Sequence, residues 1–263
     1  MSDFIRLKTA IEEISGISIE AAKDYLIESR LSPVLKKHQI DDFKTLEKLL
    51  VNEPPNGLVQ DVVDQIVTPE TRFFRDEKMF KTLEKELFPD LFSGAKPISL
   101  LSAGSSTGQE AYSLAMLIKE SLPYYFNSVS IDAVDISKKS IDKARLGTYS
   151  DFEINRGLEP SFREKFFEGQ DGSFKIVPQI KAKVDFQQRN LLKDILPSVY
   201  DIVFFRNVAI YFSEANKGVA FRNLYRALKK NGILIIGSSE SLQGFTELYE
   251  IFTLQGCYFY RKK

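Results

Sequence analysis

Hydrophobic and polar positions follow two rhythms along this chain. Up to residue 67 the apolar residues recur at helical spacing: Phe4, Leu7, Ile11 and Ile14, then Ala22, Leu26 and Leu31. Gly16 stops the first segment, Ser18 stands where a helix cap belongs, and Pro33 after Ser32 predicts a kink or restart. Asp41 or Asp42 opens a third helix through Leu50, residues 52–57 form a turn, and residues 58–67 make a fourth helix. From Ile98 onward, solid apolar runs alternate with helical stretches. The runs are 98–101, 129–135, one ending near Phe186, 200–205 and 232–236. Continuous runs suit strands buried on both faces of a parallel sheet. Strands alternating with helices predict an α/β, doubly wound, mostly parallel sheet, here closed by an antiparallel pair over 245–252 and 256–260. Residues 147–183 break the pattern. A short helix near Glu159 and alternating stretches at 173–177 and 180–186 predict a small antiparallel β excursion. The predicted organisation is an N-terminal helical domain at 1–67, a connecting segment at 68–97 with a helix over 79–88, and an α/β domain at 98–263 holding the small β subdomain at 147–183.

Chemistry concentrates where apolar runs end. The first run breaks at a small-residue loop between Gly104 and Gly108, then restarts as a helix with Ala111, Leu114, Ala115 and Ile118. A strand, a small-residue loop and a helix open a nucleotide-binding unit, since glycine lets backbone approach a ligand and the helix start offers free N–H groups. The dinucleotide pattern G-x-G-x-x-G would need glycine at Ser106 and Gln109, and no Gly-Lys-Ser/Thr follows. A looser loop suits a ligand without a pyrophosphate, such as S-adenosylmethionine; a tight turn with no ligand is the bland alternative. Asp135 ends the second run, where a carboxylate reaches ribose hydroxyls. It would also serve as a helix cap, but Ser137 caps equally well and leaves it free. Asn190 follows the third run and Arg206, Asn207 and Tyr211 follow the fourth, all at strand ends that face a ligand crevice. Asn190 either edges an adenine or merely starts a helix. In the connecting segment Phe73 and Phe74 read as packing, while Arg75 reads either as a bidentate grip on a carboxylate or as half of a surface ion pair.

The totals narrow the classes. Lysine plus arginine equal aspartate plus glutamate at 36 each, without the basic excess of a general nucleic-acid binder. No apolar run approaches ~18 residues, so no membrane insertion is expected. The opening residues lack the basic-then-apolar layout of a signal peptide, and one cysteine excludes an internal disulfide framework, which together predict a cytoplasmic protein. The single histidine, His38, sits in a polar helical stretch and reads as a solvated surface residue. Triad chemistry and a metal centre are therefore not expected, and the reaction should need little proton transfer. Arg30, Lys36, Lys37 and His38 make a modest basic patch or simply a solvated face.

With these residues in view the chain resembles the chemotaxis-receptor methyltransferases, the CheR family, over nearly its whole length. The resemblance rests on Lys23-Asp-Tyr-Leu, Thr71-Arg-Phe-Phe-Arg-Asp76, Ser106-Thr-Gly-Gln-Glu-Ala-Tyr-Ser-Leu-Ala115, Asp135-Ile-Ser, Asn190-Leu-Leu, Arg206-Asn-Val-Ala-Ile-Tyr-Phe212 and Gly237-Ser-Ser-Glu-Ser-Leu242 in that order. It implies methyl transfer from S-adenosyl-L-methionine to glutamate side chains on the cytoplasmic helices of methyl-accepting chemotaxis receptors, by a monomer. By position it implies a cofactor site of Thr71, Arg75, Glu110, Asp135, Asn190, Leu191, Arg206 and Asn207, with Arg75 and Tyr211 as the catalytic pair: Arg75 meets the methionine carboxylate or the incoming glutamate, and Tyr211 lies nearby. A non-catalytic S-adenosylmethionine-binding signalling module is the alternative. The sequence departs from the family where Pro69 replaces a frequent asparagine, where Pro33 and Val34 stand in place of arginines, and in the short loop at 169–172.

Overall fold

The computed structural model describes residues 4–94, 96–242 and 244–263. The first half of the signal-peptide reading, Met1 to Asp3, lies outside the described residues. Four helices come first: α1 (Ile5–Ser15), α2 (Asp24–His38), α3 (Phe43–Val51) and α4 (Leu58–Ile66). They bury Leu7, Ile11, Ile27, Leu31, Leu46, Leu58 and Val62 in a core of their own. Asp42 caps α3 by accepting from the Thr45 N–H, as the Asp41–Asp42 pair suggested.

Three expectations for this segment are corrected. Pro33 neither kinks nor restarts the chain: α2 runs through it, because Ile27, Leu31 and Val34 on one face are buried and outweigh the missing N–H. Ser18 does not cap α2, which is entered through a 3₁₀ turn at Ala21–Lys23; its N–H instead donates to the Tyr211 carbonyl at 2.8 Å. His38 is not a free surface residue. Its side chain is 15% exposed, and Nε2 lies 2.6 Å from Asp61 Oδ2 on α4. Lys37 pairs with the same carboxylate, and Arg30 donates to the Ile66 carbonyl and to Thr68 Oγ1, so most of the basic patch is spent inside the helical bundle.

The connecting helix runs longer than predicted, from Glu77–Thr82 through a π turn at Leu83–Leu87 to Phe88–Phe92. Ten strands follow: β1 (Ile98–Ala103), β2 (Val129–Asp135), β3 (Thr148–Ser150), β4 (Phe167–Gln170), β5 (Ser173–Ile176), β6 (Val184–Gln188), β7 (Tyr200–Phe205), β8 (Leu228–Ile236), β9 (Tyr249–Leu254) and β10 (Cys257–Lys262). Seven form one sheet in the order β6-β2-β1-β7-β8-β10-β9. The first five of these run parallel, and β10 and β9 are antiparallel, giving the α/β doubly wound, mostly parallel architecture. Helices on both faces bury every side chain of β1 but Ser99.

The small antiparallel sheet exists in the order β3-β5-β4, but its composition differs from expectation. Residues 180–186 are not its strand: Pro178–Lys181 is a helical turn, since proline fixes a helical φ at its first position, and Val184–Gln188 joins β2 at the edge of the large sheet. Near the C-terminus the strand predicted from 245 begins at Tyr249, after a 3₁₀ turn at Thr246–Leu248. The helix Glu214–Ala227 ends where Leu228 pairs with Tyr200 as β8 begins.

Candidate active site

In this strand order the chain leaves β1 toward β2 and β6, then returns on the other side as β7. The crevice beyond the carboxyl ends of β1 and β7 is therefore where a ligand is expected. A cleft of about 1000 Å³, partly open to solvent, lies there. Thr71, Arg75, Glu110, Asp135, Asn190, Leu191, Arg206, Asn207 and Tyr211 all line it. They come from separate stretches of sequence, and only the sheet topology brings them together.

Of the two loop glycines, Gly104 lines the cleft and Gly108 does not, and both are also fixed by packing. Gly104 has φ +79°, and a Cβ there would fall inside the Val208 side chain. At Gly108, φ +95°, a Cβ would lie 2.9 Å from Ala144 Cβ and 3.0 Å from the Phe186 ring. Both glycines serve internal packing and a left-handed backbone. Gly104, Ser105 and Ser106 line the cleft, and the buried hydroxyls of the two serines have no partner.

Asp135 ends β2. Its Oδ2 accepts from the Ser106 N–H at 2.8 Å and its Oδ1 from the Ser137 N–H at 2.9 Å. Each carboxylate oxygen keeps a lone pair for a pair of hydroxyls. Burial pushes its carboxyl above the ordinary range, only partly opposed by the two N–H bonds. Ser137 Oγ caps the following helix by accepting from the Ser140 N–H, as expected. That hydroxyl also donates to Asp64 of α4 at 2.6 Å, which ties the helical bundle to this corner.

Arg206 is almost completely buried. Nη1 donates to Glu110 Oε2 at 2.9 Å and Nη2 to the Arg75 carbonyl at 2.8 Å. Ser102 Oγ donates to the other Glu110 oxygen at 2.7 Å. Glu110 and Arg206 are thus mainly each other's partners, while Arg206 Nε is buried and unbonded. The Arg75 carbonyl belongs to a contorted turn. Phe74 has φ +48° and Asp76 +69°, and a bulky residue in that region needs external support. Phe74 obtains it from Ser113 Oγ, which accepts its N–H at 2.9 Å, and from edge contacts with Phe80 and Phe162. Phe73 is fully buried, as its reading as packing required. The Arg75 side chain donates to the Glu70 carbonyl at 3.1 Å and forms no ion pair among the described residues.

Asn190 has much of its amide committed. Nδ2 donates to the Ile14 carbonyl at 3.1 Å, and Oδ1 accepts from the Leu192 N–H at 2.9 Å. Tyr211 closes a 3₁₀ turn, Ala209–Tyr211, and its hydroxyl has no protein partner among the described residues. The sequence reading missed Ser15 and Ile17, which make the helical bundle a wall of the cleft. An Ile17–Phe212 bridge joins that wall to the turn. No local pattern marks these contacts.

Whether S-adenosylmethionine suits the cleft turns on its polar lining. The unpartnered Ser105 and Ser106 hydroxyls and Arg206 Nε are donors awaiting acceptors, and Asp135 has acceptor capacity for vicinal hydroxyls. That donor set matches an amino-acid end and a ribose. Residues 69–257 match the family model described as the CheR methyltransferase SAM binding domain, and residues 2–67 match its all-alpha domain. The chain belongs to the CheR methyltransferase family. It is similar to chemotaxis protein methyltransferase 1 of Vibrio cholerae, at 38% identity over 95% of this chain and 91% of that protein. Chemotaxis protein methyltransferase 1 of Pseudomonas aeruginosa is 33% identical over 100% of this chain and 98% of its own length. A chemotaxis protein methyltransferase of Borreliella burgdorferi is 34% identical over 87% and 84%. As a CheR methyltransferase the chain is an S-adenosylmethionine-dependent enzyme. No helix among the described residues is long and apolar enough to cross a membrane.

Proposed function

We propose that this enzyme methylates glutamate side chains on the cytoplasmic helices of methyl-accepting chemotaxis receptors, yielding glutamyl methyl esters and S-adenosyl-L-homocysteine. The observation that carries the reading is the convergence of all nine candidate residues on one cleft, with an unpaired tyrosine hydroxyl and a cationic side chain in its wall. Asp135 holds the ribose hydroxyls, and Asn190 and Leu191 edge the adenine through backbone and the remaining amide hydrogen. Ser105, Ser106 and Arg206 Nε receive the amino-acid end. Thr71, Glu110 and Asn207 complete the lining. The division into a helical domain at 1–67, a connector at 68–97 and a catalytic body at 98–263 follows the same reading, with the protein acting as a cytoplasmic monomer.

When bound, the cofactor supplies a methyl group on a cationic sulfur, which a glutamate oxygen accepts while sulfur keeps the bonding pair. A glutamate is already ionised at neutral pH, so no residue need remove a proton. Arg75 and the Tyr211 hydroxyl orient the incoming carboxylate by hydrogen bonds. The rigid turn around Phe74 and the Arg206–Arg75 bond fix where Arg75 begins. The cleft's contribution is alignment and exclusion of water. Tyr211→Phe should lower the rate by roughly 10-fold with cofactor affinity unchanged, whereas Arg75→Ala should raise KM for the receptor or weaken cofactor binding.

The decisive experiment gives the purified enzyme methyl-labelled S-adenosylmethionine and membranes bearing chemoreceptors. Label in the receptor band that mild base releases as methanol supports a carboxyl ester. Cofactor binding without label on any chemoreceptor would sink the substrate reading.

A further inference from the structure

Beyond β8 the chain turns at Gly237 and brings Glu240 back over the carboxyl ends of β7 and β8. Its Oε2 accepts the N–H groups of Gly237 at 2.7 Å and Asn207 at 2.8 Å, and its Oε1 accepts that of Val208 at 2.9 Å. Three converging backbone N–H groups make an anion nest, and here the chain's own carboxylate fills it. The nest determines the backbone that enters the cleft. Asn207 is held at φ +59°, and Val208 packs into the space that Gly104 leaves. Gly237 is required by the same arrangement, since a Cβ there would lie 2.7 Å from Glu240 Oε2 and 3.0 Å from Asn207 Nδ2. Glu240 does not line the cleft. It borders a separate hollow of about 540 Å³, with Ser239, Lys217 and Phe245, through which small solutes can reach the carboxylate.

We propose that Glu240 is a positioning residue of the cofactor cleft, acting through the Asn207-Val208 backbone and not by touching the ligand. The inference rests on reading the cleft as the S-adenosylmethionine site.

Calorimetry with S-adenosylmethionine tests it on wild type, Glu240→Ala, Glu240→Gln and Ser239→Ala, each with sodium formate or with sodium chloride at equal ionic strength. Loss of the acceptor for three N–H groups should weaken binding to Glu240→Ala by about tenfold or more. Formate should enter the emptied nest from the hollow and restore most of that affinity, while chloride should not. Glu240→Gln should bind weakly and resist rescue, because its amide fills the nest and points an N–H at a donor. Ser239→Ala should bind as wild type does. Glu240→Ala binding within about twofold of wild type would overturn the proposal. So would a cooperatively melting Glu240→Ala whose lost affinity formate leaves unchanged, since that marks mere loss of packing. If Glu240→Ala does not fold, Glu240→Gln decides: weakened binding supports the role and unchanged binding removes it. Wild type that binds no S-adenosylmethionine would fail the cleft reading itself, a result separable from every variant effect.

Discussion

Asp135 concentrates the residue-scale chemistry. Burial raises its carboxyl above the ordinary value of 3.8, yet the role assigned to it requires the ionised form. The sign of the pH effect follows. In the free enzyme the protonated form is favoured on folding, so this group's contribution to stability is fully present below 3.8 and is lost as pH rises through the elevated folded value. Over that same window the carboxylate gains acceptor strength for two hydroxyls, so cofactor affinity should rise with pH. Calorimetric titration of cofactor binding, upward from 3.8 through the range where the buried carboxyl ionises, checks this, and a flat profile would remove Asp135 from the ribose site. Asp135→Asn should lose roughly 10- to 100-fold in cofactor affinity, the value of a charge-assisted hydrogen bond, and should flatten the profile. The two cleft serines with unpartnered hydroxyls show how little a residue's identity says about its use. In sequence Ser105 and Ser106 are merely small and polar, and only their burial without partners marks them.

Among the elements, the loop between β1 and its helix shows what a motif can and cannot convey. Its position in a strand-loop-helix unit was legible because the change from an apolar run to helical spacing is sharp. The reason for its glycines was not, because Val208 and Phe186 lie far along the chain. Gly104→Ala should therefore destabilise the enzyme by about 1–3 kcal/mol through left-handed strain and collision with Val208. Val208→Ala in the same protein should recover the collision part and leave the strain, which chemical denaturation of the single and double variants can separate. The same logic explains the element-level errors. Residues 180–186 alternate like a strand, but Pro178 fixes a helical turn before them, and the edge of the large sheet beside β2 takes the remainder. Pro33 reads as a breaker, but three buried side chains on α2 outweigh one lost hydrogen bond. His38 reads as solvated because its partner, Asp61, belongs to another helix of the bundle.

In the whole molecule the sheet and the bundle share one cleft. A mostly parallel sheet and polar residues at strand ends facing a crevice were legible from the apolar runs; the strand order that puts the crevice at β1 and β7, and the bundle's part in the wall, were not. Asn216 Nδ2 donates to the Gly16 carbonyl and to Glu12, Asn190 to the Ile14 carbonyl, and Ser18 to the Tyr211 carbonyl. Replacing Asn216, which does not line the cleft, by alanine should lower cofactor affinity and speed proteolytic cutting near Gly16, with the sheet still folded. Unchanged affinity would mean the wall is passive. The Ser18–Tyr211 bond has a consequence for slower observables. Its amide hydrogen is shielded from solvent only while bundle and sheet are in register, so its isotope exchange counts their separations directly. A ligand that holds the wall closed should retard exchange at Ser18 by the factor it retards bundle opening, making one backbone amide a clock for coupling between the two halves.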